Sequence, residues 1–297
     1  MLVAKQPNWQ GVMLYDELLA KHTSWRVGGP ARQFYRPAGS EDLVRFLQQL
    51  PVDEPLLWLG MGSNLLVRDG GFNGTVVATQ GCLTEMAVVE ENLLRVEAGV
   101  ASAQVARLAA RTGLCGVEFL AGIPGTMGGA LAMNAGAFGG EIWSVVEKVE
   151  TIDQTGQVRE RRPEDFAVGY RKAVGPEGEW FLTAWLRLER GDAALGQERI
   201  RQLLEKRAAT QPTGLPSCGS VFRNPEKDYA ARLIESAGLK GSAIGGACVS
   251  EKHANFIINT GTATAADIEQ LITMVQQQVA AKSGIELRTE VCIVGEA

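Results

Sequence analysis

Residues 122–140 read GIPGTMGGALAMNAGAFGG. Glycine recurs at Gly122, Gly125, Gly128, Gly129, Gly136, Gly139 and Gly140, and no charge appears until Glu141. Glycine loses more backbone freedom on folding than any other residue, so a run this dense must gain something in return. One gain is close approach of bare backbone to a ligand, with N–H groups aimed at phosphate or ring heteroatoms. A flexible linker is the plainer alternative, but linkers are polar. This stretch instead carries Ile123, Met127, Leu131, Met133 and Phe138. It reads as a buried, ligand-facing loop.

Upstream, Leu56-Leu57-Trp58-Leu59 is an apolar run of buried-strand type that breaks at Gly60-Met61-Gly62-Ser63-Asn64 and resumes at Leu65-Leu66-Val67. A strand followed by G-x-G invites a dinucleotide-binding reading. The third glycine of G-x-G-x-x-G would fall on Leu65, and Asp69-Gly70-Gly71 leaves no room for the helix that should open there. A Walker A loop fails as well, because no glycine is followed by Lys-Ser or Lys-Thr. Whatever the loop binds, neither common nucleotide geometry holds it.

Thr23–Pro30 is rich in turn residues and leads into a short strand, Gln33–Arg36. Ser40 is placed to cap a helix whose Leu43, Phe46, Leu47 and Leu50 share one face before Pro51. Val76–Thr79 reads as a strand, and Met86–Val89 with Leu93–Glu97 as a hairpin. Ser102 is placed to cap a helix through Arg111, stopped by Gly113. Val145–Asp153 and Val158–Arg161 form a second hairpin across Thr155-Gly156. Phe181–Leu188 sets Leu182, Ala184, Leu186 and Leu188 on one side of a strand.

Gly191–Gly196 marks a boundary, after which helices are expected over Glu198–Ala209, Asp228–Ala237 and Thr264–Lys282. The last of these has Thr264 and Asp267 in capping-box spacing and Ile268, Leu271, Ile272, Val275 and Val279 inward. A proline-punctuated loop covers Gln211–Pro225, and a final alternating strand runs from Ile285 to Ile293. Strands dominate up to residue 190 and helices beyond it, an α+β arrangement rather than a βαβ array.

Composition narrows the function. The chain has 297 residues, 45% hydrophobic and 21% charged, a length that suits two or three packed units. No run approaches the roughly 18 apolar residues of a membrane span. MLVAKQPNWQ has no apolar signal-peptide core, which predicts a cytoplasmic protein. Cys82, Cys115, Cys218, Cys248 and Cys292 follow no pairing or zinc spacing and read as reduced thiols. With His22 and His253 as the only histidines, a His-rich metal centre is excluded and no metal is expected. His253, ahead of an apolar strand, reads as structural. The net charge of −5 and the lack of a basic block argue against nucleic acid as partner. An anionic ligand would need glycine-loop amides and single arginines.

Three residues with useful chemistry are ordinary when taken singly. Ser220 lies in Pro216-Ser217-Cys218-Gly219-Ser220-Val221-Phe222-Arg223-Asn224-Pro225, where most serines are turn residues. It is not a G-x-S-x-G nucleophile, although a serine held by polar neighbours can pass a proton. Arg171, after Gly169-Tyr170, has the form of a surface arginine, and Glu290 that of an edge carboxylate.

In order, Trp25-Arg26-Val27-Gly28-Gly29-Pro30-Ala31, Leu59-Gly60-Met61-Gly62-Ser63-Asn64-Leu65, Gly122–Glu141, Gly169-Tyr170-Arg171, Gly219–Pro225 and Glu290-Val291 resemble one family. It is the UDP-N-acetylenolpyruvoylglucosamine reductases, or MurB family, in its shorter second type. The likeness runs from about Thr23 to Gly295. It implies an α+β, two-subdomain FAD-binding fold of the PCMH (vanillyl-alcohol-oxidase-like) type with a C-terminal α+β substrate domain. The corresponding divisions are 1–80, 81–190 and 191–297, and a monomer is favoured. FAD would be cradled by Gly60, Gly62, Ser63, Asn64, Leu65, Gly122, Pro124, Gly125, Thr126, Gly128, Ala135 and Gly136.

The implied reaction passes hydride from NADPH through FAD to UDP-N-acetylenolpyruvoylglucosamine, giving UDP-N-acetylmuramate for peptidoglycan and cell-wall synthesis. Arg171 would hold the substrate carboxylate, and Glu290, in a protonated form, would hydrogen-bond the same oxygens. Ser220 would deliver the proton to carbon. Tyr170, Arg223 and Asn224 would contact substrate. Two departures stand out. Ala173 replaces the family's usual serine two residues after the arginine, and only Lys172–Glu179 separate Arg171 from Trp180, which leaves no room for a tyrosine-bearing lid. Two other readings stay open at this point: another FAD oxidoreductase of the same fold, and a non-catalytic flavin- or nucleotide-sugar-binding protein.

Overall fold

The computed structural model describes residues 8–297, so the N-terminal reading falls partly on Met1–Pro7, outside the described residues. The chain divides into two compact units. The first takes Met1–Tyr15, Gln33–Gly60 and Gly74–Ile200, and the second takes Asp16–Arg32, Met61–Asn73 and Arg201–Ala297.

The two larger sheets lie largely in the first unit. One is ordered Val12–Leu18, Pro30–Arg36, Phe72–Ala78, Leu56–Leu59. Its last two strands are parallel, with Leu56 opposite Thr75 and Leu59 opposite Ala78. The strand expected at Gln33 begins at Pro30, a first-residue position at which proline removes no needed donor. The other sheet is antiparallel and five-stranded, ordered Val158–Arg161, Val146–Asp153, Glu179–Arg187, Leu93–Glu97, Met86–Glu90. Both expected hairpins are present in it. Leu182, Ala184, Leu186 and Leu188 are all buried, as their alternation requires. Tyr35, Leu43, Phe46, Leu47, Val77, Leu83, Ile152 and Leu182 form a core here. Burying each large apolar side chain contributes roughly 1.5–3 kcal/mol.

Among the described residues four α-helices begin in this unit: α1 (Ser40–Leu47), α2 (Ser102–Arg111), α3 (Met127–Ala132) and α4 (Ala193–Thr210). Ser40 and Ser102 are not their caps. The N-caps are Gly39 and Ala101, each one residue earlier, and neither makes a side-chain capping bond. Ser102 is instead drawn wholly inside, its N–H donating to the Gly125 carbonyl at 2.9 Å. The expected loop at 122–140 contains α3, because Met127, Ala130 and Leu131 supply a buried i, i+3, i+4 face. Gly136–Ala137 then pairs antiparallel with Gly140–Glu141. α4 starts at Ala193 rather than Glu198. The Asp192 carboxylate accepts from the N–H groups of Ala194 (2.7 Å) and Leu195 (3.0 Å) and so caps the helix. Gly196 lies within the helix as a close-packing residue, since a Cβ there would sit 3.2 Å from Ala110 Cβ.

The second unit packs α5 (Ala230–Ser236) and α6 (Ala265–Ser283) with a sheet of Ala243–Ile244, Ala247–Val249 and Ile257–Asn259. α6 has the expected capping box between Thr264 and Asp267, and its five named apolar residues are buried. Asp69 adds a second cap, accepting from Ala265 and Ala266 N–H at 2.9 Å each. Trp25, fully buried, donates its indole N–H to the Ile257 carbonyl at 2.8 Å, and Asn259 returns a bond to the Trp25 carbonyl.

The final strand is shorter than its alternation predicts. Only Cys292–Val294 forms a ladder, parallel to Leu65–Val67. Residues 288–291 pair elsewhere, with the segment after Ser220. Among the described residues no helix is long and apolar enough to cross a membrane.

Candidate active site

The first unit carries an open-sided cavity of about 380 Å³. Its wall combines bare backbone at Gly60, Gly128 and Gly129 with the side chains of Thr126, Trp58 and Trp180. The glycines are there for space. A Cβ on Gly60 would lie 2.5 Å from Thr126 Oγ1, and one on Gly128 would lie 3.1 Å from Ala98 Cβ. Trp58 and Trp180 stack with ring centroids 5.1 Å apart. Two buried polar atoms in this wall, Thr126 Oγ1 and Trp58 Nε1, have no hydrogen-bond partner in the protein. Leaving such atoms unsatisfied costs about 1–3 kcal/mol each. Glycine-lined space, aromatic faces and orphaned donors suit a flat heteroaromatic ligand with a polar linker. FAD has that chemistry, and these residues fit it.

The cavity's acidic group is already committed. Glu179 accepts from Arg161 Nε at 3.0 Å and from Thr151 Oγ1 at 2.6 Å. The Arg161 hydrogen bonds hold its carboxyl below the usual range, against burial, which works to raise it.

Arg171 lies in the same unit, at the tip of a hairpin formed by Ala167–Gly169 and Lys172–Val174. Its φ of +55° is in the left-handed region, which is uncommon for a residue other than glycine. Arg171 Nη1 donates to the Gly136 carbonyl at 2.8 Å, and the guanidinium lies 5.5 Å from the centre of the exposed Tyr170 ring. Ala173, on the returning strand, lines the cavity.

In the second unit, Gly219 turns the chain at φ +70° ahead of Ser220. The next residues pair with the C-terminal segment. Val221 carbonyl accepts from Glu290 N–H at 2.8 Å, and Arg223 N–H donates to the Arg288 carbonyl at 2.9 Å. Ser220 and Glu290, 70 positions apart in sequence, thus lie at adjoining backbone positions. Asn255 fixes the same segment from another side. It accepts from Phe222 N–H at 2.9 Å and donates to Phe222 carbonyl at 2.8 Å. Asn64 Nδ2 donates to the Glu290 carbonyl at 3.1 Å, and Asn64 carbonyl accepts from Cys292 N–H at 3.0 Å.

Asn224 has a structural task, its side-chain oxygen accepting from Ala230 N–H at 3.0 Å at the start of α5. Arg223 Nε is buried with no protein partner. Burial pushes the Cys218 thiol up to about 12, so it stays protonated. His253 packs edge-on against Phe256 at 4.8 Å, and burial lowers its imidazole.

Of the residues expected at the cofactor, Gly60, Thr126 and Gly128 line one cavity. Gly122, Pro124, Gly125, Ala135 and Gly136 belong to the same unit without lining it, and Gly62, Ser63, Asn64 and Leu65 lie in the second unit. Trp58, Trp180, Thr79 and Ala98 line the cavity and were not marked by sequence. Trp58 and Trp180 sit on strands whose apolar pattern reads only as core, and Thr79 and Ala98 are the residues just past the ends of two others. Asn134 and Asn255 were missed too. Their signal was faint: an asparagine beside a glycine run, and another just before an apolar strand.

The fold and this cavity define an FAD-binding protein, and a model of the FAD binding domain matches residues 31–161. The architecture is the α+β PCMH-type fold, followed by a C-terminal α+β part. A second model, the C-terminal domain of UDP-N-acetylenolpyruvoylglucosamine reductase, matches residues 211–294.

The chain belongs to the UDP-N-acetylenolpyruvoylglucosamine reductase family. It is 60% identical to the reductase of Alkalilimnicola ehrlichii over 297 residues, covering 100% of this chain and 99% of that one. It is 59% identical to the reductase of Legionella pneumophila (strain Corby) over 289 residues, covering 97% and 94%. The crystal structure of UDP-N-acetylenolpyruvylglucosamine reductase (MurB) from Thermus caldophilus superposes with a TM-score of 0.82 at 33% identity, covering 96% of this chain and 98% of that one.

Proposed function

We propose that the protein reduces UDP-N-acetylenolpyruvoylglucosamine to UDP-N-acetylmuramate with NADPH as reductant, supplying a peptidoglycan precursor in the cytoplasm. Family membership over the whole chain supports the substrate. The observation that carries the site is the pairing of residue 221 with residue 290, which brings Ser220 beside Glu290.

When bound, FAD would supply two-electron hydride chemistry linking NADPH to the methylene carbon of the enolpyruvyl group. Gly60, Thr126 and Gly128 hold it in the first unit, with Gly122, Pro124, Gly125, Ala135 and Gly136 shaping the backbone around them. Gly62, Ser63, Asn64 and Leu65 complete the set. Arg171 binds the substrate carboxylate with a planar donor fork and offsets the negative charge that develops there. Glu290 hydrogen-bonds the same oxygens. Ser220 gives its hydroxyl proton to the adjacent carbon and regains one from solvent. Tyr170, Arg223 and Asn224 border the substrate, Arg223 through its partly buried guanidinium. Along the sequence, we assign 1–80 and 81–190 as FAD-binding subdomains and 191–297 as the substrate domain, with residues 16–32 and 61–73 of the first subdomain falling in the second compact unit.

The test is rapid mixing of Ser220→Ala. Reduction by NADPH should proceed at the wild-type rate, while reoxidation by the enolpyruvyl substrate slows by about 10²–10⁴-fold. Equal slowing of both half-reactions, or of neither, rejects the proton-donor role.

A further inference from the structure

The hairpin that carries Arg171 has little apolar surface to hold it. Ala167, Val168, Gly169, Tyr170, Lys172 and Val174 are all exposed. Its tip is tied by polar contacts instead. Asn134 Nδ2 donates to the Gly169 carbonyl at 3.1 Å, and Arg171 Nη1 donates to the Gly136 carbonyl at 2.8 Å. Both ties end on residues 134–136.

Asn134 is the better anchored end of this arrangement. It is 1% exposed and takes a left-handed φ of +40°, where asparagine is one of the few side chains tolerated. Its Nδ2 also donates to the Glu141 carboxylate at 3.0 Å, and its Oδ1 accepts from Trp143 N–H at 3.4 Å. Trp143 in turn donates its indole N–H to the Leu131 carbonyl at 2.8 Å, and its ring lies 4.6 Å from that of Phe166. Phe166 precedes the hairpin and Gly175 follows it, and a Cβ on Gly175 would fall 2.3 Å from the Phe166 ring. The base and the tip of the hairpin are therefore referred to one packed body, the base through Phe166 and the tip through Asn134.

We propose that Asn134 is the positioning residue for Arg171, its side-chain amide setting the direction in which the hairpin tip presents the guanidinium to the substrate carboxylate. The proposal rests on the role given to Arg171 above. A misplacement of about 1 Å at a substrate-orienting group costs up to roughly 10²-fold in rate.

The test uses the FAD-loaded protein with Asn134→Gly, which keeps the left-handed backbone at little cost, and Asn134→Asp, which keeps the acceptor for Trp143 but loses the donor to Gly169. Four quantities are read: the urea midpoint, FAD affinity, the rate of reduction by NADPH and the rate of reoxidation by the enolpyruvyl substrate. Both variants should slow reoxidation by about 10–100-fold and leave FAD affinity and the rate of reduction near wild type, while the urea midpoint falls further in Asn134→Asp, which sets a second carboxylate against Glu141. Asn134→Gly combined with Arg171→Ala should be no slower than Arg171→Ala alone, because coupled residues are not additive. Additive losses, or reduction and reoxidation falling together with FAD affinity, overturn the proposal. A slow Arg171→Ala beside a normal Asn134→Gly overturns it while leaving Arg171 its role. Arg171→Ala reoxidising at the wild-type rate removes that role, and the proposal with it.

Discussion

Asn255 in the second unit and Asn134 in the first each fasten a segment that carries a proposed catalytic residue, and they do so under opposite conditions. Asn255 holds both the N–H and the C=O of Phe222, a residue 1% exposed, so both partners lie away from water. Asn134 holds Gly169 and Glu141, both exposed, besides the buried Trp143 N–H, so water can replace the amide at two of its three partners. The same side chain therefore contributes mainly to stability in one unit and mainly to geometry in the other. Ser220 is positioned by backbone pairing that the core of its unit enforces, and Arg171 by polar ties on a hairpin with almost no core of its own.

The largest expected effect tests the first half of that contrast. Asn255→Ala leaves two buried backbone groups unsatisfied, at about 1–3 kcal/mol each. Its urea midpoint should fall well below that of Asn134→Gly. Equal midpoints for the two variants would erase the distinction between the units.

Next is Glu179→Gln, which removes the charged partner of Arg161 beside the cavity of the first unit. At pH 7 it should lower stability by about 1.5–3 kcal/mol, the scale of a hydrogen bond to a charged group. The folded-state pKa of Glu179 lies below its unfolded value. Its contribution is therefore present above about pH 4.3 and is lost as pH falls through the folded value. The stability gap between wild type and Glu179→Gln, followed by urea melts from pH 7 to pH 3, should shrink in acid. A gap that widens there contradicts the assignment.

Gly60→Ala sharpens the picture of the cavity wall. The new Cβ would sit 2.5 Å from the buried Thr126 Oγ1, so Thr126 must shift: FAD affinity should drop by about tenfold, or 1.4 kcal/mol, and the apoprotein should melt lower as well. Titration of apoprotein with FAD measures this, and unaltered affinity would show that Gly60 does not face the cofactor.

The smallest effect is expected at Ser102, whose buried Oγ has no hydrogen-bond partner. Ser102→Ala should be neutral or stabilising by up to about 1 kcal/mol in urea melts, because an unsatisfied hydroxyl is removed. A loss above that range would mean that the hydroxyl has a use the packing does not reveal.

Much of the fold could be read along the chain, because the forces that shape those elements act between near neighbours. The buried face of α6, the capping box at Thr264 and the two hairpins of the five-stranded sheet are all periodic or turn-encoded features. Where side chains met distant partners, local signals failed. Ser40 and Ser102 had the chemistry of caps, yet each is the first residue of its helix and the cap position falls on Gly39 and Ala101. Gly191–Gly196 looked like a break, yet Asp192 caps a helix that runs through Gly196 where it packs on Ala110.

The glycines of residues 122–140, the failed dinucleotide and Walker spacings and the ordered set of family motifs were all properties of the sequence itself. The glycines marked a ligand-facing loop, the failed spacings removed two nucleotide geometries, and the resemblance carried by the motifs implied a flavin and a nucleotide sugar. Tertiary structure alone decided which of those glycines line the cavity, that two tryptophans from separate strands stack in its wall, and that Ser220 adjoins Glu290. It also decided that Arg171 is tied to Asn134's segment. Each of these depends on two stretches far apart in sequence reaching the same few ångströms. That proximity is set by the packing of whole sheets and helices and leaves no periodicity in the chain to read.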